Sequence, residues 1–368
     1  MLSNKSIAVV VPAYNEEKQI GRVIETMPDF VDRIIIVNDF SKDKTSEVVK
    51  GFLKNDSYNH KKLRITSNLN KIELDEYNHA DYVIQERSKD EIKLFLPSEI
   101  VNEDADMERV ILINQLENGG VGAAIARGYK WAKDHGIDCT AVMAGDGQMD
   151  PAELESICMP VIEENIDYVK GNRLIHRSSW LVIPKTRYFG NSILSILTKV
   201  ASGYWHVSDT QTGYTAISNG ALNSIQIHSI YKRYGMPNDM LVKLNIAFCT
   251  IREVEIKPVY NVGEQSKMKV AKVIPTVSWL LIRSFFKRLW IKYLFRDFHP
   301  LFLLYNLSFL LFTISVPFGI GIIDNFLHVG EVTPNAVLII FMFLIISGFQ
   351  SFLFAMWMDI QDNDRLYK

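Results

Sequence analysis

The sequence predicts an α/β protein: a Rossmann-like, mostly parallel sheet, then interfacial helices and a two-helix transmembrane hairpin. Three observations carry this. Apolar, β-branched runs alternate with helix-sized segments over the first part of the chain. Those runs end in polar residues. Two uncharged stretches of 23 residues, 301–323 and 336–358, stand close together near the end of the sequence. With 48% hydrophobic residues in 368, there is material for a large core. A formal net charge of −2 gives no reason to expect a nucleic-acid partner. Cys139, Cys158 and Cys249 are far apart, with no CxxC pair or Cys/His cluster, and read as reduced thiols, neither a disulfide framework nor a zinc site. The first apolar run, residues 7–11, is strand-sized and has no basic leader before it, so the N-terminal domain is expected in the cytoplasm.

Taken in order, residues 7–11 read as a strand, 17–26 as a helix, 33–39 as a second strand, and a second helix starts at about Thr45. Asn15-Glu16 and Asn38-Asp39 close the two strands, where open α/β sheets place their ligands. The rhythm then breaks. Residues 71–109 hold 12 Asp/Glu against 5 Lys/Arg without a clear apolar period. They read as an insertion over about 60–109, either a solvated excursion or a dedicated binding site. The strand pattern resumes at Val110. Asn118-Gly119-Gly120-Val121-Gly122 turns into a helix, 139–146 is the next strand, and Asp150-Pro151 opens another helix with an Asp cap and a proline at its first position.

Residues 186–204 and 275–296 are apolar helical stretches carrying aromatic and basic residues. In the second, Arg288, Lys292 and Arg296 share a stripe beside Ile282, Phe286, Leu289 and Tyr293. Over 271–299 this predicts an amphipathic juxtamembrane helix lying on anionic lipid, the other reading being a core helix with solvated charges. Within 300–360, the runs 301–323 and 336–358 can each cross ~30 Å of hydrocarbon. Arg283, Lys287, Arg288, Lys292 and Arg296 precede the first run, and the connection 324–335 holds no Lys or Arg. The positive-inside rule then puts both chain ends, including a tail at 361–368, in the cytoplasm.

The motifs Val11-Pro12-Ala13-Tyr14-Asn15-Glu16-Glu17, Val37-Asn38-Asp39-Phe40-Ser41-Lys42-Asp43-Lys44-Thr45 and Gly145-Asp146-Gly147-Gln148-Met149-Asp150-Pro151 together resemble glycosyltransferase family 2, which has the GT-A fold. Within it the chain is similar to the polyprenyl-phosphate glycosyltransferases typified by dolichol-phosphate mannose synthases. The likeness covers roughly 6–55 and 110–270, with the paired helices of the membrane-anchored branch. It implies a catalytic domain over 1–270 that transfers a sugar, with inversion, from a UDP- or GDP-linked nucleotide-sugar to undecaprenyl or dolichyl phosphate at the cytoplasmic membrane face, for cell-surface glycan or glycoconjugate synthesis.

Glu16 and Asp39 stand at successive strand ends, where a carboxylate accepts hydrogen bonds from ribose hydroxyls or a base N–H, though capping a turn is also open to each. The resemblance implies the nucleoside role, with Pro12 and Tyr14 shaping the base pocket. A departing diphosphate needs its charge neutralised, and a divalent cation on oxygen ligands supplies this. The family's Asp-x-Asp-x-Gln reads Ala144-Gly145-Asp146-Gly147-Gln148 here, so Asp146 and Gln148 are the expected ligands of Mg2+ or Mn2+, and more of the shell falls to water and diphosphate. Asp150 reads as a helix cap. The glycines at 119, 120 and 122 fit either a phosphate cradle or a tight turn with close helix packing, and Asn118 and Arg127 are candidate donor contacts.

On the acceptor side the resemblance implies that Arg173, Arg187 and Asn191 bind the lipid phosphate, and Lys267 lies in a basic run suited to phosphate beside the membrane. Asp209, in Ser208-Asp209-Thr210-Gln211-Thr212-Gly213-Tyr214, is expected to contact sugar hydroxyls or to orient a basic group. Asp239 stands where relatives that glycosylate alcohols carry a general base. A hydroxyl nucleophile needs one and a phosphate dianion does not, so transfer to a hydroxyl of a lipid-linked saccharide or a glycolipid with Asp239 as base is the alternative. Asp146, Arg173, Arg187 and Asp239 thus form the expected catalytic set. A non-catalytic membrane scaffold, prompted by Ala144, is a third reading, and a homo-oligomer is left open.

Overall fold

The computed structural model describes residues 1–53, 64–69, 74–183, 185–259, 270–328 and 332–368; the side chains of 185–189, 191 and 270–274 lie outside that description. Its elements run β1 Ile7–Ala13, α1 Ile20–Glu25, β2 Arg33–Asn38, α2 Thr45–Leu53, α3 His79–Glu91, β3 Ser98–Ile100, β4 Val110–Gln115, α4 Val121–Asp134, β5 Cys139–Val142 and α5 Leu154–Glu163. Then come β6 Tyr168–Asn172, α6 Ser179–Val182, α7 Lys185–Ser202, β7 Thr215–Ser218, α8 Asn219–Ser224, α9 Met236–Ile246 and β8 Ile251–Glu255. Three long helices follow, α10 Val270–Trp290, α11 Pro300–Leu327 and α12 Asn335–Asp364.

The strands form one sheet in the order β3-β4-β2-β1-β5-β7-β6-β8. Strands β4, β2, β1 and β5 run parallel, with Val10 opposite Ile35 and Val142, and Ile36 opposite Leu112. Strand β7 runs against them, and β6 and β8 return to the common direction. Every residue of β1 but Pro12 is buried, and all of β2 is, because helices cover both faces of a parallel sheet. Alternation then divides the core. Val10, Ile35, Ile111 and Trp131 pack on one face, and Val9, Ile34, Leu112 and Cys158 on the other.

The acidic segment turns out to contain a helix and an edge strand. Strand β3 extends the sheet antiparallel to β4, with Ser98 opposite Gln115. Helix α3 showed no apolar period because polar contacts fasten it: Glu91 pairs with Lys133 at 3.1 Å, and Lys130 Nζ donates to the Ser88 carbonyl at 2.8 Å. A helix held by ion pairs to α4 leaves little trace in a hydropathy pattern.

A second correction concerns Arg288 and Lys292. Of the three basic residues of the stripe expected on lipid, Arg288 and Lys292 face inward and are fully buried, while Arg296 is exposed. Arg288 grips Asp359 of α12 with two 2.7 Å bonds, and Lys292 donates to Asn363 at 2.6 Å. The exposed face of α10 carries Trp279, Ile282, Phe286 and Trp290 with Arg283 and Lys287. Trp180, Leu181 and Val182 of α6 and Ile193, Ile196 and Leu197 of α7 are also exposed apolar residues. Helices α11 and α12, of 28 and 30 residues, are long enough at about 1.5 Å per residue to cross a bilayer. They bury little and expose Leu303, Leu307, Leu310, Ile339 and Phe343. Apolar surface on that scale associates with a membrane.

Candidate active site

The strand directions gather the expected residues at one edge of the sheet. The loops after β1, β2, β4, β5 and β6 leave from the same edge, and the loop before the reversed β7 enters there. Pro12, Tyr14, Glu16, Asp39, Asn118, Asp146, Gln148, Arg173 and Asp209 all belong to these strand ends and loops. This is the carboxyl edge at which open α/β sheets bind ligands.

On the donor side, two loops are stapled together. The Asn15 N–H donates to Ser41 Oγ at 2.9 Å, the Glu16 N–H to Thr45 Oγ1 at 2.9 Å, and the Lys42 N–H to Asn15 Oδ1 at 2.8 Å. Asn15 and Phe40 both take left-handed backbone angles, φ 56° and 57°, which turn the chain sharply at each strand end. Asp39 is buried, and its carboxylate accepts the N–H groups of Gly119 at 2.7 Å and Gly120 at 2.8 Å. Burial pushes its carboxyl up, against the pull of those two amides. Two of about four lone-pair directions are thus taken, leaving acceptor capacity for a ribose or base.

The glycine run therefore works as a turn and packing device. Its Gly119 and Gly120 amides serve Asp39, and the Gly122 N–H donates to the Lys232 carbonyl at 2.9 Å. Gly120 has φ +87°, and a Cβ there would stand 2.7 Å from that same carbonyl. Asn118 Nδ2 donates to the Asp39 carbonyl at 3.1 Å. Arg127 is not at the edge: it is buried in α4, with Nε on Ser98 Oγ at 2.8 Å, and anchors β3.

After β5, Asp146 Oδ1 accepts the Gln148 N–H at 3.0 Å around Gly147, which has φ +72°. Among the described residues no three His, Cys, Asp or Glu side chains cluster as a metal site. The donor set is one half-buried carboxylate and one amide oxygen, all hard oxygen, which fits a cation such as Mg2+ that keeps water and phosphate in its shell. Asp150 caps the turn after it, its Oδ1 accepting the Ala152 N–H at 3.0 Å.

Across the edge, Arg173 and Asp209 form a bidentate pair, Nε to Oδ2 at 2.8 Å and Nη2 to Oδ1 at 3.0 Å, with the Arg173 N–H also on Oδ2 at 3.2 Å. Burial opposes ionisation of Asp209, but the Arg173 guanidinium and the Lys170 ammonium outweigh it and hold the carboxyl below its usual range. Asp209 therefore stands against a basic group, the Arg173 guanidinium. Arg187 and Asn191 lie on α7 with side chains outside the described residues, and Lys267 lies outside them altogether. Asp239 accepts the Tyr231 N–H at 2.8 Å and pairs with Lys243. Its neighbour Asn238 is the residue that meets Thr198 and Gln211, at 3.1 and 2.9 Å.

Sequence reasoning missed Lys170 and Glu253. Lys170 Nζ donates to the Thr212 carbonyl at 2.6 Å, and Glu253 accepts the Ser208 and Asp209 N–H groups at 3.0 and 2.9 Å. Both fix the loop that carries Asp209. Burial lowers the Lys170 ammonium to about 8, despite Asp209 and Glu253 nearby, and pushes the Glu253 carboxyl up. The available signal was a lone lysine in the apolar strand YVKGN; in IREVE, Glu253 is one of three charges and nothing in the pattern singles it out.

The sequence profile described as glycosyl transferase family 2 matches residues 8–73 and 88–226. A UDP-N-acetylglucosamine–dolichyl-phosphate N-acetylglucosaminyltransferase of Methanococcus voltae is 28% identical over 261 residues, 71% of this chain and 88% of that one. An undecaprenyl-phosphate mannosyltransferase of Micrococcus luteus is 26% identical over 165 residues, 45% of this chain and 67% of that one. Among solved structures, glucosyl-3-phosphoglycerate synthase from Mycobacterium tuberculosis, in complex with Mn2+, UDP and glucosyl-3-phosphoglycerate, aligns with 78% of this chain and 80% of its own at 16% identity and a TM-score of 0.46.

Proposed function

The chain belongs to glycosyl transferase family 2 and is a glycosyltransferase of GT-A fold; from that premise we propose that it transfers a sugar from a UDP- or GDP-linked donor to a polyprenyl phosphate at the cytoplasmic face of a membrane that α11 and α12 span. One observation carries the acceptor side. Arg173, oriented by Asp209 at the ligand edge, is followed within nine residues by the exposed apolar Trp180, Leu181 and Val182. A fixed guanidinium beside an apolar surface suits a phosphate monoester on a lipid tail. The names of the Methanococcus voltae and Micrococcus luteus relatives support the same acceptor class.

In this reading Glu16 and Asp39 hold the nucleoside, with Pro12 and Tyr14 along the base and Asn118 bracing Asp39. Asp146 and Gln148 would hold Mg2+ or Mn2+, which neutralises charge on the departing diphosphate. Arg173, with Arg187, Asn191 and Lys267, places the lipid phosphate in line. A phosphate oxygen bonds to the anomeric carbon as the bond to the nucleoside diphosphate breaks, inverting that centre. The attacking dianion needs no base, so positioning and charge neutralisation supply the rate. The engagement of Asp239 with Tyr231 and Lys243 favours this over transfer to a hydroxyl.

The test is an acceptor comparison in nanodiscs. Parent and Asp239→Asn proteins are given polyprenyl phosphate or a lipid-linked saccharide with a free hydroxyl. Transfer to the phosphate alone, within about threefold in both proteins, is expected. Transfer to the hydroxyl, abolished by the substitution, would reverse the assignment.

A further inference from the structure

The segment that ends the second apolar helix is built into the catalytic domain. Ile251, the first residue of β8, donates its N–H to the Leu366 carbonyl at 2.7 Å, and the Lys368 N–H donates to the Ile251 carbonyl at 3.0 Å. These bonds make a parallel bridge between Ile251 and Tyr367, so the residues after α12 pair with the sheet edge. Leu366 is buried in the same core as Tyr204, Cys249 and Ile251. The segment read as a tail is thus a docked element, held by backbone hydrogen bonds and by the burial of Leu366.

Just before it, six polar side chains, Arg288, Lys292, Tyr293, Asp359, Asn363 and Asn245, close a buried network. The Arg288 guanidinium spans from Asp359 to the last turn of α7, Nε donating to the Ala201 carbonyl and Nη2 to that of Val200, both at 3.0 Å. The Tyr293 hydroxyl donates to Asp359 at 2.7 Å. Lys292 reaches Asn363 of α12 and, at 3.1 Å, Asn245 of α9, and Asn245 itself donates to Asn363 at 2.7 Å. Gly203 leaves room for it: a Cβ there would stand 2.5 Å from Arg288 Nη1. Buried ion pairs that replace hydration by fixed partners specify geometry more than they add stability. Here they tie α12 to α7 and α9, the helices that bear Arg187, Asn191, Asn238 and Asp239.

We propose that the Arg288–Asp359 pair and the docked segment 366–368 act as a positioning clamp that sets the height and tilt of the catalytic edge over the bilayer, so that a phosphate held at headgroup depth meets it. The proposal rests on the lipid-phosphate reading above. Asp359 and Arg288 are positioning residues: neither touches donor or acceptor, and both act through α7. A flexible tether would only raise local concentration, whereas a clamp presents the site at one depth, and only an acceptor confined to the bilayer depends on that depth.

The experiment uses the full chain in nanodiscs, with Asp359→Asn and a deletion of 366–368 as independent variants. Each is assayed with a long-chain polyprenyl phosphate in the bilayer and with a short, water-soluble isoprenyl phosphate, and UDP and GDP binding are measured alongside. The expected result is a fall of about tenfold or more in kcat/KM for the long-chain acceptor, carried mainly by kcat, with short-chain kcat/KM and nucleotide binding within about twofold of the parent. Equal losses on both acceptors would mean a merely structural role and overturn the proposal, as would unchanged long-chain transfer in the deletion, which leaves the buried pair complete and so is the variant expected to fold. A parent that transfers to neither phosphate would instead overturn the functional reading, and the clamp with it.

Discussion

Arg173 meets Asp209 through both forks of its guanidinium, at 2.8 and 3.0 Å, with Asp209 1% exposed and Arg173 still reaching the surface. The pair fixes a cation at the ligand edge with little freedom left to lose on binding. Replacing Arg173 by Lys keeps the charge but removes the planar fork. About a hundredfold loss in kcat/KM for the lipid acceptor is expected, with nucleotide binding within about threefold. Steady-state kinetics varied separately in acceptor and donor check this; an equal rise in donor KM would place Arg173 on the donor side.

The Asp39 carboxylate serves two masters, the glycine amides and, in the proposed function, the nucleoside. Asp39→Asn leaves an oxygen for one amide and loses the charge. A rise of about 10- to 100-fold in the nucleotide dissociation constant is expected, since hydrogen bonds to charged groups contribute about 1.5–3 kcal/mol. Asp39→Ala should also cost about 1–3 kcal/mol of stability by stranding the Gly119 and Gly120 amides. Isothermal titration and denaturant unfolding measure the two effects.

Ala144 stands where the family pattern has a first carboxylate. Restoring it as Ala144→Asp adds a charged oxygen ligand two residues from Asp146. Divalent-cation affinity in the presence of UDP should tighten about tenfold. Chelation should abolish turnover in the parent, and Asp146→Ala should weaken metal binding further. Manganese electron paramagnetic resonance titration reads the affinity directly, and unchanged binding in both variants would remove position 146 from the metal site.

Lys170 carries a pH signature. Its ammonium lies at about 8 in the fold against 10.5 in the open chain, so the unfolded state holds the proton more tightly. The resulting penalty is fully present below pH 8, shrinks as pH rises from 8 to 10.5, and is gone above. Relative to Lys170→Met, the parent should therefore gain stability over that window, by up to about 3 kcal/mol. Urea unfolding in detergent at pH 7.5, 9 and 10.5 checks it, and parallel profiles for parent and variant would contradict it.

Much of the site was legible because strand ends and motif order are local. Glu16 and Asp39 could be placed from the ends of apolar runs, and Asp150 from the proline beside it. What escaped depends on pairs far apart in the chain. The Arg288 stripe was read on its own helix, where its spacing suits a lipid surface, but its partner Asp359 is 71 residues on. Helix α3 hid for the same reason, because its fastening is the Glu91–Lys133 pair and not an apolar face. Lys170 and Glu253 were passed over because a charge in a strand acquires meaning only from the loop it holds.

The most direct measurement is product identification. The full chain in nanodiscs containing polyprenyl phosphate is incubated with radiolabelled UDP- and GDP-sugars and Mg2+ or Mn2+, and the lipid phase is extracted and analysed by mass spectrometry. A lipid product of one sugar joined to one phosphate, formed from at least one donor with release of the nucleoside diphosphate, is expected. Label confined to the aqueous phase with every donor, or found on a lipid hydroxyl, would contradict transfer to a lipid phosphate.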